Sequence, residues 1–383
     1  MKENIELLFK NNFGKKNDFM SVTTPGRVNI IGGHIDYQGG KVMPLAVNRY
    51  IFTYGRKRQD LKIKIFSYNY NQFFETSLNK IVFQQENLWV NYLLGVIYEF
   101  QKLGLINSGI EIVFGGNIPL GIGLSSSAAV EISVASLLQK LFKTDIPPLD
   151  IIKLSQRAEN LFVGVKCGIM DQFSVYLAKK DSAIMINCKT LDYQYVPLVL
   201  KDCQFVLVNT RKERSLASSV YNERVESANK TLEIVKRFEK VDWLTDLTPK
   251  QFKKYINDIP ELLYRRALHI VEENDRVTTS VKLLNENKID EFGNLMFRSH
   301  NSLKELYQVS CEQLDFIVDF SEKFEGIKGA RLSGAGMGGC CIALIQKEAY
   351  KTFKELLTKD YSKKFGITPE FFIVKPVDGT FFR

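Results

Sequence analysis

The sequence has few residues of the kinds that mark disulfide-rich, zinc-binding or membrane proteins. Only six cysteines occur in 383 residues, and they form no Cys-x-x-Cys pair and no zinc-type Cys/His group. No apolar run approaches the roughly 18 residues of a membrane-spanning helix, and the N-terminal stretch has no long apolar leader. We therefore expect reduced cysteines, no membrane partner and a soluble cytoplasmic protein.

The chain also lacks a concentrated charge of one sign. It has 52 Lys and Arg against 43 Asp and Glu, a net charge of +9, and the lysines are spread along the sequence. Nucleic-acid-binding segments mass basic residues with aromatics on one element, so we expect no nucleic-acid partner. The mild basic excess suits a small anionic ligand, and we expect a monomer or weak oligomer.

Length and periodicity predict two domains of mixed helix and strand. A chain of 383 residues exceeds what one hydrophobic core usually supports. We place the domains at residues 1–195 and 196–383, although no Pro/Gly/Ser-rich spacer marks the boundary. Patterns typical of helices cover 88–103, 127–142, 149–162, most of 216–324 and 348–359. A cleft between two such domains is a common ligand site.

The most informative segment is Pro119-Leu-Gly-Ile-Gly-Leu-Ser-Ser-Ser-Ala-Ala129, which lies between a strand pattern and a helix pattern. Gly121 and Gly123 let the backbone approach a ligand, and Ser125, Ser126 and Ser127 begin the helix, where free N–H groups attract an anion. No Lys follows the glycines as it does in a P-loop. The charge of a polyphosphate must therefore be neutralised by the N-terminal end of the helix, the serine hydroxyls and Mg²⁺. The alternative is a glycine-rich turn with a serine N-cap.

A second cluster lies in residues 25–44, where Arg27, His34 and Asp36 stand among five glycines. A carboxylate of this kind binds two neighbouring hydroxyls of a sugar well, and the Arg supplies a permanent cation. Taken one at a time, His34 is more typical of a loop histidine and Arg27 of a surface ion pair. The cluster as a whole favours a sugar site.

The segment Cys167-Gly-Ile-Met-Asp-Gln172, together with Glu159 before it, holds a third candidate. Asp171 follows a glycine and two apolar residues, so we expect it to be partly desolvated and to need a cationic partner. Such a carboxylate could accept a proton from a sugar hydroxyl that attacks phosphorus. The alternative is a helix-terminal Asp bound to backbone N–H groups.

A further glycine cluster, Ala330-Arg-Leu-Ser-Gly-Ala-Gly-Met-Gly-Gly339, precedes a strand pattern. A dinucleotide-binding fingerprint follows a strand and opens a helix, so this cluster disfavours dinucleotide binding. We expect Gly334 and Gly336 to pack behind the other loops or to contact the phosphates of a nucleotide.

With these clusters in this order, the chain resembles the galactokinase family of the GHMP small-molecule kinases over nearly its whole length. Further matches are Tyr221-Asn-Glu-Arg224, Arg265–His269 with Glu273–Arg276, and Ser299–Leu303. The resemblance implies an α+β protein with the GHMP kinase fold. Its N-terminal domain would be like the second domain of ribosomal protein S5, its C-terminal domain ferredoxin-like, and ATP would bind between them.

The resemblance also implies a role for each matching residue. Asp171 would be the catalytic carboxylate and Arg27 the cation beside it. The sugar contacts would be Gly33, His34, Asp36, Gly168 and Tyr221. Ser126 and Glu159 would bind Mg²⁺. The ATP contacts would be Trp89, Gly121, Gly123, Leu124, Ser125, Ser126, Ser127, Ala128, Gly334 and Gly336.

One residue departs from the family pattern. Galactokinases typically carry a Glu that accepts a hydrogen bond from the C6 hydroxyl, and this chain has Gly33 in its place. The change removes a charge and leaves room for an anion, and the motif resembles that of galacturonic acid kinases. Arg214, where the family often has His, is a candidate partner for a C6 carboxylate. We therefore predict a sugar 1-kinase that slightly favours D-galacturonate.

Two alternatives remain. The first is an ordinary galactokinase that makes α-D-galactose 1-phosphate. The second is a sensor that binds ATP and galactose without turnover; such regulators tend to lose part of the serine run, which this chain keeps together with Asp171. Other GHMP kinases share the phosphate loop but lack the His34-x-Asp36 motif.

Overall fold

The computed structural model of the protein describes residues 1–14, 18–119, 121–212 and 217–382. Arg214 therefore lies outside the described residues. The helices are α1 (Lys2–Phe13), α2 (Asn91–Lys102), α3 (Ser126–Phe142), α4 (Pro148–Arg157), α5 (Met170–Leu177), α6 (Ala217–Val235), α7 (Pro249–Phe252), α8 (Glu261–Asn285), α9 (Ile289–Glu305), α10 (Glu312–Lys323) and α11 (Tyr350–Phe365).

The strands fall into two sheets. They are β1 (Met20–Ile31), β2 (Lys41–Lys57), β3 (Lys62–Ser67), β4 (Gln72–Ser77), β5 (Ile110–Gly116), β6 (Ser182–Asn187), β7 (Tyr193–Pro197), β8 (Cys203–Asn209), β9 (Ile327–Ser333), β10 (Cys340–Gln346), β11 (Glu370–Val374) and β12 (Phe381–Phe382). The first sheet runs β12-β1-β2-β5-β3-β4, with β6 pairing β2 and β7. Its β3–β5 pair is parallel.

The second sheet has the antiparallel order β11-β8-β10-β9. Numbered along the chain, these strands lie in the order 4-1-3-2, with helices before the second strand and between the third and fourth. This is the βαββαβ arrangement of ferredoxin-like domains. The expected ferredoxin-like C-terminal fold is confirmed. Strand β10 is buried along almost its whole length because its run Cys-Cys-Ile-Ala-Leu-Ile is continuously apolar.

The end of the chain returns to the first sheet. Val22 of β1 pairs with Phe382 of β12, and Val47 of β2 bridges to Pro376. One cluster of buried apolar side chains has members from both sheets, Val28 and Leu332 among them. The predicted boundary between residues 195 and 196 lies in β7 and stays a prediction.

Most predicted helices lie where the periodicity put them, but one ends early. The helix expected over 149–162 is regular only to Arg157 and then widens into a π-helical turn, Ala158–Val163, which Gly164 ends in a left-handed conformation. Such widened turns are frequent at functional sites, and this one carries Glu159. All six cysteines are free thiols, as expected. Within the described residues, the helices are too short or too polar to span a bilayer.

Candidate active site

The predicted sugar and catalytic residues line one cavity of about 220 Å³, here called the charged cavity. Its walls come from β1 and the loop after it, the 165–171 segment, α6 and the β9–β10 turn. The predicted residues in its lining are Arg27, Gly33, His34, Asp36, Glu159, Gly168, Asp171, Tyr221 and Gly334. Segments that are far apart in sequence thus meet at one site.

Asp171 and Arg27 form a two-pronged ion pair in this cavity. Arg27 Nε donates to Asp171 Oδ1 at 2.7 Å and Nη2 donates to Oδ2 at 2.6 Å. Arg27 Nη1 donates to the Gly123 carbonyl oxygen at 2.7 Å, and the Ser125 hydroxyl donates to Asp171 Oδ2. Paired charge-assisted bonds fix orientation as well as energy. The carboxylate is thereby held against the serine turn, with 25% of its side chain exposed.

Asp36 is the second carboxylate in the cavity. It opens a short 3₁₀ turn, Asp36–Gln38, and a Cβ atom at Gly168 would overlap its Oδ2. Glycine at 168 is therefore required for this approach. Burial, reinforced by the charge of Asp171, raises the pKa of Asp36 to about 6. A buried carboxylate of this kind gains from ligand hydroxyls that donate to it.

His34 is neutral at physiological pH. Burial is the main cause that lowers its pKa to about 3. Its Nε2 donates to the Ala335 carbonyl oxygen at 3.2 Å, and its ring packs against those of Tyr221 and Tyr307 with centroids 5.6 and 5.2 Å apart. These contacts fix the orientation of the imidazole, which lines the charged cavity.

Glu159 belongs to a network of buried polar groups. Gln172 Nε2 donates to Glu159 Oε2 at 2.6 Å and to Glu131 Oε2 at 2.9 Å, and Ser127 forms a hydrogen bond with Glu159. Burial raises the pKa of both glutamates, and their mutual repulsion adds to the effect on Glu131. Oε1 of Glu131 has no partner within the part of the chain that the structure describes.

A second cavity of about 280 Å³, the aromatic cavity, begins at the N-terminus of α3. Trp89 and Tyr70 stack there at 5.9 Å, and Trp89 Nε1 donates to Gln72 at 2.7 Å. The residues that line it are Ile51, Asn69, Tyr70, Trp89, Tyr92, Phe114, Ile118, Gly121, Ser126, Ser127 and Val130. It combines flat aromatic surfaces with a helix terminus that attracts anions.

Comparisons with known proteins identify the family of this chain. Three family models match: the galactokinase galactose-binding signature over residues 7–57, the GHMP kinases N terminal domain over 91–179 and the GHMP kinases C terminal model over 280–363. Galactokinase of Bacillus subtilis is 40% identical over 99% of this chain and 98% of its own length. The chain belongs to the galactokinase family of the GHMP kinases.

Solved structures extend the comparison. Lactococcus lactis galactokinase, solved with galactose, superimposes with a TM-score of 0.96 at 34% identity over 99% of both chains. Mevalonate kinase of Methanococcus jannaschii, at 21% identity and a TM-score of 0.68, covers 95% of this chain and shares the fold alone. The protein is thus an ATP-dependent phosphotransferase with the GHMP kinase fold, as the sequence predicted.

The remaining predicted ATP residues lie outside the two cavity linings. Leu124 and Ala128 are buried, and the carbonyl oxygen of Leu124 accepts from the Arg27 backbone N–H at 3.1 Å. Ser125 has a left-handed backbone with φ of 55°, and its hydroxyl binds Asp171 in place of a helix N–H. Gly336 packs against the Val309 carbonyl group, where a Cβ atom would overlap the oxygen. Their roles stay predictions.

The sequence predicted empty space beside Gly33, and the structure corrects that prediction. A Cβ atom at Gly33 would overlap Nη2 of Arg331, which lines the charged cavity and is 1% exposed. The wall is therefore filled by a guanidinium from β9. The sequence showed Arg331 inside a glycine cluster, but nothing in the pattern said which loop it would face. Glu131 was also missed; its signal is an acidic residue within the apolar run of α3.

The loop that carries Gly33 is held by α8. Glu273 Oε1 accepts from the backbone N–H groups of Gly32 and Gly33 at 2.9 and 3.1 Å, and His269 Nε2 donates to the Gly33 carbonyl oxygen at 3.0 Å. Arg276 Nε donates to Glu273 Oε2 at 2.7 Å. The loop that follows β1 thus depends on charges from the helical segment that precedes β9.

Proposed function

We propose that this protein transfers the γ-phosphoryl group of ATP to the anomeric hydroxyl of D-galactose. The observation that carries the proposal is the Asp171–Arg27 pair, which lies in a cavity lined by hydroxyl-binding side chains and touches the serine turn through Ser125. The comparisons favour galactose over the galacturonate preference expected from sequence, because the relatives are named galactokinase and one was solved with galactose.

In this proposal the sugar lies against Asp36, His34, Gly168 and Tyr221. The carboxylate of Asp36 accepts bonds from neighbouring ring hydroxyls, and the glycine leaves the ring room to approach. Burial and the charge of Asp171 leave Asp36 with a pKa of about 6, so hydroxyl donors stabilise its ionised form at neutral pH.

Asp171 accepts the proton of the C1 hydroxyl as its oxygen attacks the γ-phosphorus. The new bond joins C1 oxygen to phosphorus, the bond from phosphorus to the β–γ bridging oxygen breaks, and ADP leaves. Where the transition state is loose, the carboxylate acts mainly by orienting the hydroxyl. Arg27 holds Asp171 in place and offers positive charge to the transferring group.

ATP fits the aromatic cavity with its base beside Trp89 and its phosphates at the start of α3. Gly121 and Gly123 bring the backbone close, Ser125 to Ser127 lie at the helix N-terminus, and Gly334 approaches from the β9–β10 turn. A helix N-terminus stabilises negative charge that develops on the leaving phosphate.

Mg²⁺ fits the oxygen groups between the cavities. Glu159 lines the charged cavity and Ser126 the aromatic cavity, and carboxylate and hydroxyl oxygens are the ligands this cation prefers. The unpartnered Glu131 oxygen is a further acceptor nearby. The ion, when bound, would neutralise phosphate oxygens.

D-galacturonate is the second candidate acceptor. The observation that favours it is a neutral Gly33 beside the cationic Arg331, since a C6 carboxylate would meet a guanidinium and no acidic side chain at that wall.

Coupled ADP release tests the proposal, with phosphorus NMR of the product to locate the phosphate. We expect turnover with D-galactose and a 1-phosphate product. Specificity constants for galactose and galacturonate then rank the two acceptors. Ligand-dependent melting without ADP would instead identify a binding sensor.

A further inference from the structure

Arg331 is a buried cation that the proposed reaction does not use. It belongs to β9, is 1% exposed and lines the charged cavity. Its Nε has no hydrogen-bond partner among the described residues, and Nη1 reaches the Asn29 carbonyl oxygen only at 3.5 Å. Burial lowers its pKa, but a guanidinium stays protonated in proteins.

The carboxylate whose charge acts most on Arg331 is already occupied. This is Glu273, which accepts from Gly32, Gly33 and Ser299 through Oε1 and from Arg276 through Oε2. Arg331 therefore gains from its field but forms no ion pair with it. A buried donor without a partner costs free energy, which a ligand acceptor would recover.

Nη2 of Arg331 reaches the cavity wall where a side chain is missing. It occupies the space that a Cβ atom at Gly33 would need. The φ angle of Gly33 is not in the left-handed region, unlike that of Gly32 at 91°. Backbone conformation would therefore allow a larger residue at 33, and the obstacle is the flexible end of the Arg331 side chain.

Arg331 and the reactive pair contact different parts of the cavity lining. Asp171 and Arg27 are bonded to the serine turn through Ser125 and Gly123, whereas Arg331 Nη2 lies against Gly33 in the loop that α8 holds. A sugar with its C1 hydroxyl at Asp171 would therefore present another substituent to Arg331.

We propose that Arg331 and Gly33 form a subsite that selects acceptor-only or anionic substituents on the part of the sugar remote from C1. A guanidinium offers only donors, so it binds oxygen acceptors, prefers a carboxylate and repels an ammonium group. A hexuronate carries such a carboxylate at C6, with the ring hydroxyls of the parent hexose unchanged. The class of ligand is therefore the hexuronates, and this inference rests on the proposed sugar kinase activity.

A set of sugars that differ only at C6 tests the subsite in the unmodified protein. The acceptors are D-galactose, D-galacturonate, 6-deoxy-D-galactose and 6-amino-6-deoxy-D-galactose. We expect galacturonate to have a kcat/KM no more than about tenfold below that of galactose, and the amino sugar to be roughly 100-fold worse. An amino sugar used as well as galacturonate would overturn the proposal.

Substitutions assign the effect to Arg331. Arg331→Gln should lower kcat/KM for galacturonate about 10- to 100-fold more than for galactose, and Arg331→Lys should recover part of the loss. Equal losses for both sugars would mean a structural role and reject the proposal. Circular dichroism and the Tm check that each variant is folded.

Gly33→Glu and Gly33→Gln form a matched pair that does not depend on a change at Arg331. The two side chains have similar size, but only Glu pairs with the guanidinium and repels a carboxylate. The ratio of kcat/KM for galacturonate to that for galactose should therefore be lower in Gly33→Glu than in Gly33→Gln. Identical sugar preferences in the pair would contradict the inference.

Sugar binding separates this inference from the proposed function. If no sugar yields ADP, the kinase proposal fails, and calorimetric affinities for galacturonate and galactose still measure the subsite. Weaker galacturonate binding in Arg331→Gln, with galactose binding retained, would support it. Unchanged galacturonate binding would reject it.

Discussion

The two cavities are built in different ways. The aromatic cavity takes all its lining from residues 51–130, whereas the charged cavity takes its lining from Arg27 to Ala335 and needs both sheets. The first offers ring faces and a helix terminus, and the second offers buried ionisable groups such as Asp36 and Glu159. The aromatic cavity thus depends on one continuous stretch of sequence, and the charged cavity depends on contacts between distant segments.

This contrast predicts where substitutions act. Changes in the charged cavity remove groups that are desolvated and paired, so their effects on turnover, sugar binding or stability should be large. Changes in the aromatic cavity remove contact area and should mainly alter the KM for ATP.

The largest effect is expected from Asp171→Asn. The amide keeps an oxygen for Arg27 but cannot take the proton, so kcat for galactose should fall by about 10²–10⁴. Steady-state ADP release measures the change, and thermal stabilisation by ATP should persist as the control. A loss below tenfold would contradict a proton-accepting role.

Glu273→Gln tests whether α8 holds the sugar loop. Removing the charge of Glu273 leaves Arg276 with only the longer contact to the partly exposed Glu272. The loss of the buried partner should cost about 3–5 kcal/mol of unfolding free energy. Glu272→Gln is the matched control, because Glu272 lies 3.5 Å from the same Arg276 and is 28% exposed. Its cost should stay within about 1 kcal/mol. Equal shifts in denaturation midpoint for the two variants would refute the idea.

Galactose affinity should depend on pH through Asp36. The ionised carboxylate accepts from hydroxyls on both oxygens and more strongly than the protonated group does, and burial raises the pKa of Asp36 to about 6. Affinity should therefore be constant above pH 7 and fall up to about tenfold per unit below pH 6. His34, with a pKa of about 3, stays neutral over this range.

Calorimetry from pH 5 to 8 without nucleotide measures this dependence and avoids titration of ATP. Asp36→Asn should bind galactose weakly but with a flat profile. Affinity that rises on acidification would contradict the assignment.

The smallest effect is expected at Trp89. Trp89→Ala removes a stacking surface and should raise the KM for ATP about three- to tenfold with kcat nearly unchanged. Trp89→Phe keeps an aromatic ring and should retain most of the affinity. A change confined to the galactose KM would show that the aromatic cavity is not the nucleotide site.

Local patterns predicted much of the fold and of both cavities. The glycines of residues 119–129 and the helix after them predicted the anion-binding terminus, and the density of Arg27, His34 and Asp36 predicted a polar pocket. The same patterns could not assign the Ser125 hydroxyl, which binds Asp171 across 46 positions of sequence and does not cap its own helix. Hydrogen bonds between residues this far apart in sequence depend on how the helices and strands pack.

The sequence by itself determined the family, through the order and spacing of its motifs, and the resemblance to that family implied the fold and named candidate residues for phosphoryl transfer. Only the tertiary structure decided that Arg331 occupies the space beside Gly33 and that Glu273 holds the same loop. The physical reason is that electrostatic interactions and steric overlap depend on the distance between atoms in space, and the separation of residues in sequence does not determine that distance. These groups come from segments about 240 and 300 residues away from the glycine they serve.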